Sequence, residues 1–381
     1  MTTRELAITT DISAYDADEI DDYVIAPGYN TSSDWITYSS GATHTNAFKT
    51  IRVNSFSDAA NRNSVIEESI DQVAAATVYA GTYSSSGSFE AAFRGWDFAT
   101  SGLLLGALGN QTPEVVASNT AHGAGLKYIL AMEAMPLALK VIDEQATDTT
   151  GSNDVHGSTT IYRGVGITNF EINLNVKEYA KSTFQWIARR AEVFDVGYNS
   201  ANNTINGEPA IFYNAVLKWT PEGGSAETLK CKAFTMTLAR TMDQDYFFIG
   251  SEFLQGLYYN GLTDLGGQIT LGAGDWQRIR TMLVGKTTGA TNGNVLDETN
   301  QEFFGDAATG TVLTNAVPAG KFEVILHAPD GTKESGKITC DVAKLTEMSR
   351  SVQGRNQFEK TVTWKAQIND TDKFTIEVYN N

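Results

Sequence analysis

Along much of the chain, apolar and polar side chains alternate one by one, the period of a half-buried β-strand. Phe170, Ile172, Leu174 and Val176 alternate with Glu171, Asn173 and Asn175, as do Phe234, Met236 and Leu238 with Thr235 and Thr237. The pattern returns in Ile211, Tyr213, Ala215, Leu217 and Trp219, and in Val362, Trp364, Ala366 and Ile368. Phe374, Ile376 and Val378 form a last strand. Turn chemistry separates these runs: Asn206-Gly207, Glu222-Gly223-Gly224, Asn260-Gly261 and Pro329-Asp330-Gly331. Helical patterns are few. Ser64 and Glu67 form a capping box for a helix reaching Ala76, with Val65, Ile66, Ile70 and Val73 as its apolar stripe. Shorter helices are expected over Asp97–Leu108 and Asp245–Leu257.

A second pattern runs at long range. Tyr79, Gly81, Gly87, Phe89 and Trp96 recur 180 residues later as Tyr259, Gly261, Gly267, Ile269 and Trp276. Glycine is needed where the backbone turns at positive φ or packs closely, and tryptophan where a large apolar plug fills a core. Such a matched set points to a repeated backbone, not a repeated catalytic site, with Trp96 and Trp276 as the expected plugs. Strand runs follow in the same order: Tyr128–Val141, Thr160–Val176 and Phe184–Phe194, then Phe322–Leu326, Ile338–Val342 and Phe358–Ile368. The chain is therefore expected to be mainly β, in two tandem modules over residues 51–200 and 201–381, each flanked by a short α-helix. Residues 1–50 read as an N-terminal arm outside the repeat. Ala146–Ser158 and Thr287–Asn300 read as loops, with little to bury.

Composition narrows the function. With 45 acidic against 28 basic residues, the formal charge is −17, which argues against a clamp for nucleic acid. Cys231 and Cys340, the two cysteines, sit in alternating apolar strands and read as reduced core residues. The N-terminus carries no basic segment followed by an apolar run, so no secretory signal is expected. Ile129–Ile142 is the longest apolar stretch, and Glu133, Pro136 and Lys140 interrupt it, so no membrane span is expected.

No converging reactive groups are visible. His44, His122 and His156 lie among Gly, Thr, Ser and Asn and read as solvated loop residues; none of the four histidines has metal-ligand spacing. Gly81-Thr-Tyr-Ser-Ser-Ser-Gly87 reads as a flexible turn, not a nucleophile elbow. Gly102–Gly109 lacks the Lys-Ser/Thr of a phosphate loop. The acidic run Asp11, Asp16, Asp18, Glu19, Asp21 and Asp22 has no calcium-loop spacing. It reads either as a solvated arm or as a segment that orders against a neighbouring subunit. No catalytic, cofactor or metal site is expected, and the chain does not read as an enzyme.

Phe234-Thr-Met-Thr-Leu-Ala-Arg-Thr-Met-Asp, followed by Gly250, Tyr259-Asn-Gly261 and Gly267-Gln-Ile-Thr-Leu, resembles tail tube proteins of long-tailed bacteriophages. Ser86-Gly-Ser-Phe-Glu-Ala-Ala-Phe-Arg-Gly-Trp-Asp-Phe, with Leu103-Leu-Leu-Gly-Ala-Leu-Gly109 behind it, resembles another form of the same module. The resemblance covers roughly Ile51 to Ile368 and carries no active-site residues. It implies a β-sandwich or barrel module flanked by a helix, six modules to a ring, and rings stacked into a tube inside the virion tail, assembled in the host cytoplasm. With two modules per chain, three chains close a pseudo-hexameric ring; a hexamer is the alternative. Its partners are then further copies of itself and other tail proteins. DNA passes through an acidic lumen without specific binding, and no membrane is involved. A distal tail or baseplate ring of the same fold, and a carbohydrate-binding β-sandwich with exposed aromatic residues, are the competing readings.

Overall fold

The computed structural model describes residues 4–10, 49–67, 77–109, 113–132, 136–144, 157–195, 208–221, 225–242, 249, 262–272, 319–329, 331–351 and 359–380. The first half contains strands β1 (Arg4–Thr10), β2 (Lys49–Ile51), β3 (Val53–Glu67), β4 (Thr77–Ala92), β5 (Glu114–Val116), β6 (Gly125–Ile129), β7 (Leu137–Glu144), β8 (Gly157–Asn175) and β9 (Lys181–Asp195). Helices α1 (Gly95–Thr100) and α2 (Leu103–Leu108) lie between β4 and β5. The second half contains β10 (Val216–Pro221), β11 (Glu227–Leu229), β12 (Cys231–Ala239), β13 (Asp264–Leu271), β14 (Ala319–His327), β15 (Glu334–Ser351), β16 (Glu359–Ala366) and β17 (Phe374–Tyr379). The protein is mainly β, and the pairings among these strands are antiparallel.

Hydrogen bonds order the first half as β3-β4-β9-β8-β7-β1-β2. They order the second half as β12-β13-β16-β15-β14-β10-β11. The two orders correspond strand for strand, and so do three of their irregularities. A shift between Val53 and Ser55 against β4 matches one between Cys231 and Ala233 against β13. A shift between Ile167 and Asn169 against β9 matches one between Leu345 and Glu347 against β16. A third, between Leu137 and Leu139 against β8, matches one between Gly320 and Phe322 against β15. Bulges bend a strand and re-aim its neighbours, so matching bulges mean matching local curvature.

The halves meet where β12 pairs with the C-terminal part of β8, and where β17 pairs with β6. The first of these contacts makes a continuous ribbon of eight strands, β3-β4-β9-β8-β12-β13-β16-β15. One face of it is apolar and buried, with Phe89, Phe170, Phe184, Phe234, Ile269 and Val362 among its members. The other face is polar: Ser88, Gln185, Glu171, Thr235, Gln268 and Thr363 alternate with the buried set. This is the pattern of an antiparallel sheet with one side packed and one side wet. Helix α2 is buried along its whole length and packs on β8; α1 packs on β17.

Several expectations are corrected. Ser64–Glu67 belongs to β3, where Val65 and Ile66 oppose Tyr79 and Val78; the rest of the expected helix to Ala76 lies outside the described residues. The apolar residues there serve strand pairing with β4, which overrides a local capping signal. Gly81–Gly87 is the middle of β4, bonded to β3, and Gly87 is bonded to β9 as well, so it is not a flexible turn. Ile211–Ala215 is not strand: Phe212–Asn214 forms one 3₁₀ turn, and the strand begins at Val216. The expected arm is tied at both ends, since β1 pairs with β7 and β2 with β1, as β10 and β11 pair with β14 and each other. Asp11, Asp16, Asp18, Glu19, Asp21 and Asp22 lie outside the described residues, as do Thr287–Asn300 and nearly all of Asp245–Leu257. Asp97–Leu108 is helical as expected, split at Gly102, whose φ is 79°.

Candidate assembly interface

The alternation of β4 and β13 sets Gly87 and Gly267 directly opposite the ribbon's two largest side chains. Gly87 pairs with Trp186, and Gly267 with Trp364. A Cβ on Gly87 would collide with the Trp186 ring and with the Ser57 carbonyl; on Gly267 it would collide with the Thr235 carbonyl. The glycines therefore let neighbouring backbone and indole close against the strand. Trp186 and Trp364 are 1% and 0% exposed. Phe56 stacks on the first at 6.4 Å and 23°, Phe234 on the second at 6.2 Å and 14°. Phe89 and Ile269 are both buried beside them.

Other members of the expected signature fall elsewhere. Trp96 is half-buried at the start of α1, so it is not the plug; Trp186 is. Tyr79 and Gly81 lie in β4, while Tyr259, Gly261 and Trp276 are outside the described residues. The spacing that would have revealed the true plugs was present, since Trp186 and Trp364 are 178 residues apart, but alternation alone does not pair strands. His122 is also corrected. It is 8% exposed, with its ring stacked on Tyr379 at 3.8 Å and its Nε2 2.8 Å from Asn119 Nδ2. Burial pushes the Tyr379 hydroxyl up, as does the Glu377 carboxylate accepting its proton at 2.7 Å. Among the described residues, no group of three or more His, Cys, Asp or Glu is placed to hold a metal ion.

The junction between the halves is built from β8 and β12. Leu174, Ile172 and Phe170 oppose Phe234, Met236 and Leu238, six buried side chains in direct cross-strand pairs. Arg240 follows the last pair. Its N–H donates to the carbonyl of Thr168, the bulged residue of β8, at 2.8 Å. Its guanidinium, 5% exposed, donates to the Leu108 carbonyl at the end of α2 (2.8 Å) and to the Ala131 carbonyl (2.9 Å). The Leu108 carbonyl also accepts the Ala131 N–H at 2.8 Å, so Arg240 and Ala131 together close the end of α2.

The ends of the ribbon are different. β3 is bonded to β4 along one edge, and among the described residues nothing pairs with its other edge. Ser55, Ser57, Asp58, Ala59, Ala60 and Asn61 are exposed. At the far end, β15 pairs with β14 only as far as Lys344, so the same edge from Leu345 to Ser351 has no neighbour among the described residues. Thr346, Glu347 and Ser349 are exposed there. Two long open edges are an aggregation hazard unless something covers them. Ion pairs such as Lys232–Glu359 (2.6 Å) and Lys365–Asp264 (3.1 Å) decorate the polar face and contribute only about 0–1 kcal/mol each.

Both cysteines are free, as expected; Cys340 is buried and Cys231 half-buried. Burial pushes the Cys340 thiol from its ordinary 9.0 up to about 12 and raises Cys231 as well. At pH 8, native Cys340 then carries roughly a thousandfold less thiolate than an unfolded thiol, and alkylation should slow at least in that proportion. The sign on stability follows: the contribution is intact below pH 9 and is lost as pH rises towards 12. Iodoacetamide labelling of native and urea-unfolded protein checks it; equal rates would place Cys340 at the surface.

Residues 71–366 match the family model described as phage tail tube protein. A comparison with curated proteins finds no match.

Proposed function

The chain belongs to the phage tail tube protein family, and from that premise we propose a tube subunit in which one chain carries two tube modules. Membership makes it a structural component of a virion tail, in a family that is structural and not enzymatic. The finer reading has three parts. Two modules, here β1–β9 and β10–β17, are tandem copies of one fold. Three chains close a ring of pseudo-sixfold symmetry, and rings stack into the tube of a long-tailed phage, built in the host cytoplasm together with other tail proteins. DNA leaves the capsid through the ring.

The observation that carries this reading is the coincidence of strand order and of three bulges between the halves. Independent evolution of the same register faults in the same strands is improbable, whereas duplication produces them at once. The ribbon supplies the wall. Its packed face is committed to the module cores, which leaves the hydroxyl- and amide-rich face for the channel. Such a lining, whose Lys232 and Lys365 are paired with Glu359 and Asp264 in a chain of charge −17, offers phosphates little cationic hold, so DNA slides through it. Ring closure also covers the open edges, as closed heterologous symmetry requires.

Negative-stain electron microscopy at several protein concentrations tests the proposal. Stacked rings with a central hole and threefold outer modulation are expected. Single rings that never stack would favour a distal tail or baseplate ring. Isolated particles would return the carbohydrate-binding reading, and sixfold rings of six chains would remove the trimer.

A further inference from the structure

The junction of β8 with β12 has a defined antiparallel register. In it, Ala239 opposes Asn169, Thr237 opposes Glu171, and Ala233 opposes Asn175. β12 corresponds to β3 and β8 to β15 at a constant spacing of 178 residues, read from the shared bulges: Cys231 to Val53, Ala233 to Ser55, Ile167 to Leu345, Asn169 to Glu347. Moving the junction by that spacing places β3 of one chain on β15 of a second. We infer that this is how copies join: Asn61 opposes Glu347, Ala60 opposes Met348, Ala59 opposes Ser349, and Ser57 opposes Ser351, antiparallel.

Four observations favour a second copy of this chain as the occupant. The open edge of β15 begins at Leu345, two residues before Glu347, the counterpart of Asn169, where β8 begins to receive β12. The open edge of β3 runs past Asn61 and is long enough to fill it. The residue after the last pair is arginine in both frames, Arg240 and Arg62. The register also sets Asp58 opposite Arg350, opposite charges at a position where the internal junction has Met236 and Ile172. The internal seam is thus apolar and permanent, whereas the external seam is polar enough for its edges to stay in water until assembly.

The inference rests on the ring reading above, and the test separates the two. Ala59 and Ser349 stand at opposite ends of the ribbon. Seven strand spacings of ~4.8 Å put them about 34 Å apart along the sheet within one chain. A disulfide between them therefore has to join two chains. Directly opposed residues of an antiparallel pair have Cβ atoms within about 5.5 Å, close to what a disulfide needs. The variant carrying A59C and S349C, assembled and then oxidised mildly, should give covalent dimers and trimers on non-reducing gels, with the ladder ending at three chains. A second in-register variant, N61C with E347C, gives the same ladder and covers the case in which the first fails to fold. The control pairs S57C with E347C, four residues out of register, and should cross-link at least tenfold less.

Rings by microscopy with cross-linking equal in all three variants, or absent from both in-register ones, would overturn the register and leave the tube reading standing. A wild-type chain that forms no rings would overturn both.

Discussion

Trp364→Ala should lower the stability of the chain by about 3–5 kcal/mol, and Trp186→Ala by a similar amount. Each indole is fully buried, is paired across its strand with a glycine, and stacks on a phenylalanine two strands away in the ribbon. Trp96→Ala, at a half-buried position on α1, should cost clearly less. Urea denaturation of the unassembled chain measures all three. If the two core substitutions prove as mild as Trp96→Ala, the opposition of tryptophan and glycine is not what holds the ribbon together.

Arg240→Ala should cost roughly 2–4 kcal/mol, because it removes two charge-assisted hydrogen bonds: the Ala131 carbonyl loses its guanidinium donor, and the Leu108 carbonyl keeps only the Ala131 N–H. Arg240→Lys should recover only part of the loss. An ammonium is a point donor, whereas here one guanidinium nitrogen is held by a planar fork between two acceptors. Backbone pairing of β12 with β8 would persist in both variants. The readout is thus thermal stability together with hydrogen exchange in α2 and at Ala131. A lysine variant as stable as the wild type would show that charge near the helix end suffices, and that the fork geometry is irrelevant.

The polar face of the ribbon stays in water, while the closure of its ends falls to assembly. That division explains why β3 carries Asp58 and Ala60 where its counterpart β12 carries Met236 and Leu238. An edge that must wait in water for its partner cannot be apolar without risking uncontrolled pairing.

Strand content and the family were legible in the residues. Alternation in Phe170–Val176, Phe234–Leu238 and Phe374–Val378 declares a strand with one packed face, because side chains in a strand change sides at every step. β3 was not legible, since Ser57-Asp-Ala-Ala-Asn-Arg-Asn63 is exposed on both faces and has no alternation to read. Nor was the strand at Ser64–Glu67, where local capping chemistry competes with a partner that only the hairpin provides. What the sequence determined by itself is period and kinship, both local properties of residue order. The tertiary structure alone decided partners: Trp186 with Gly87, Arg240 with the end of α2, His122 with Tyr379 at the far end of the chain. Pairing depends on the geometry that brings distant strands into register, and residue order carries no record of that distance.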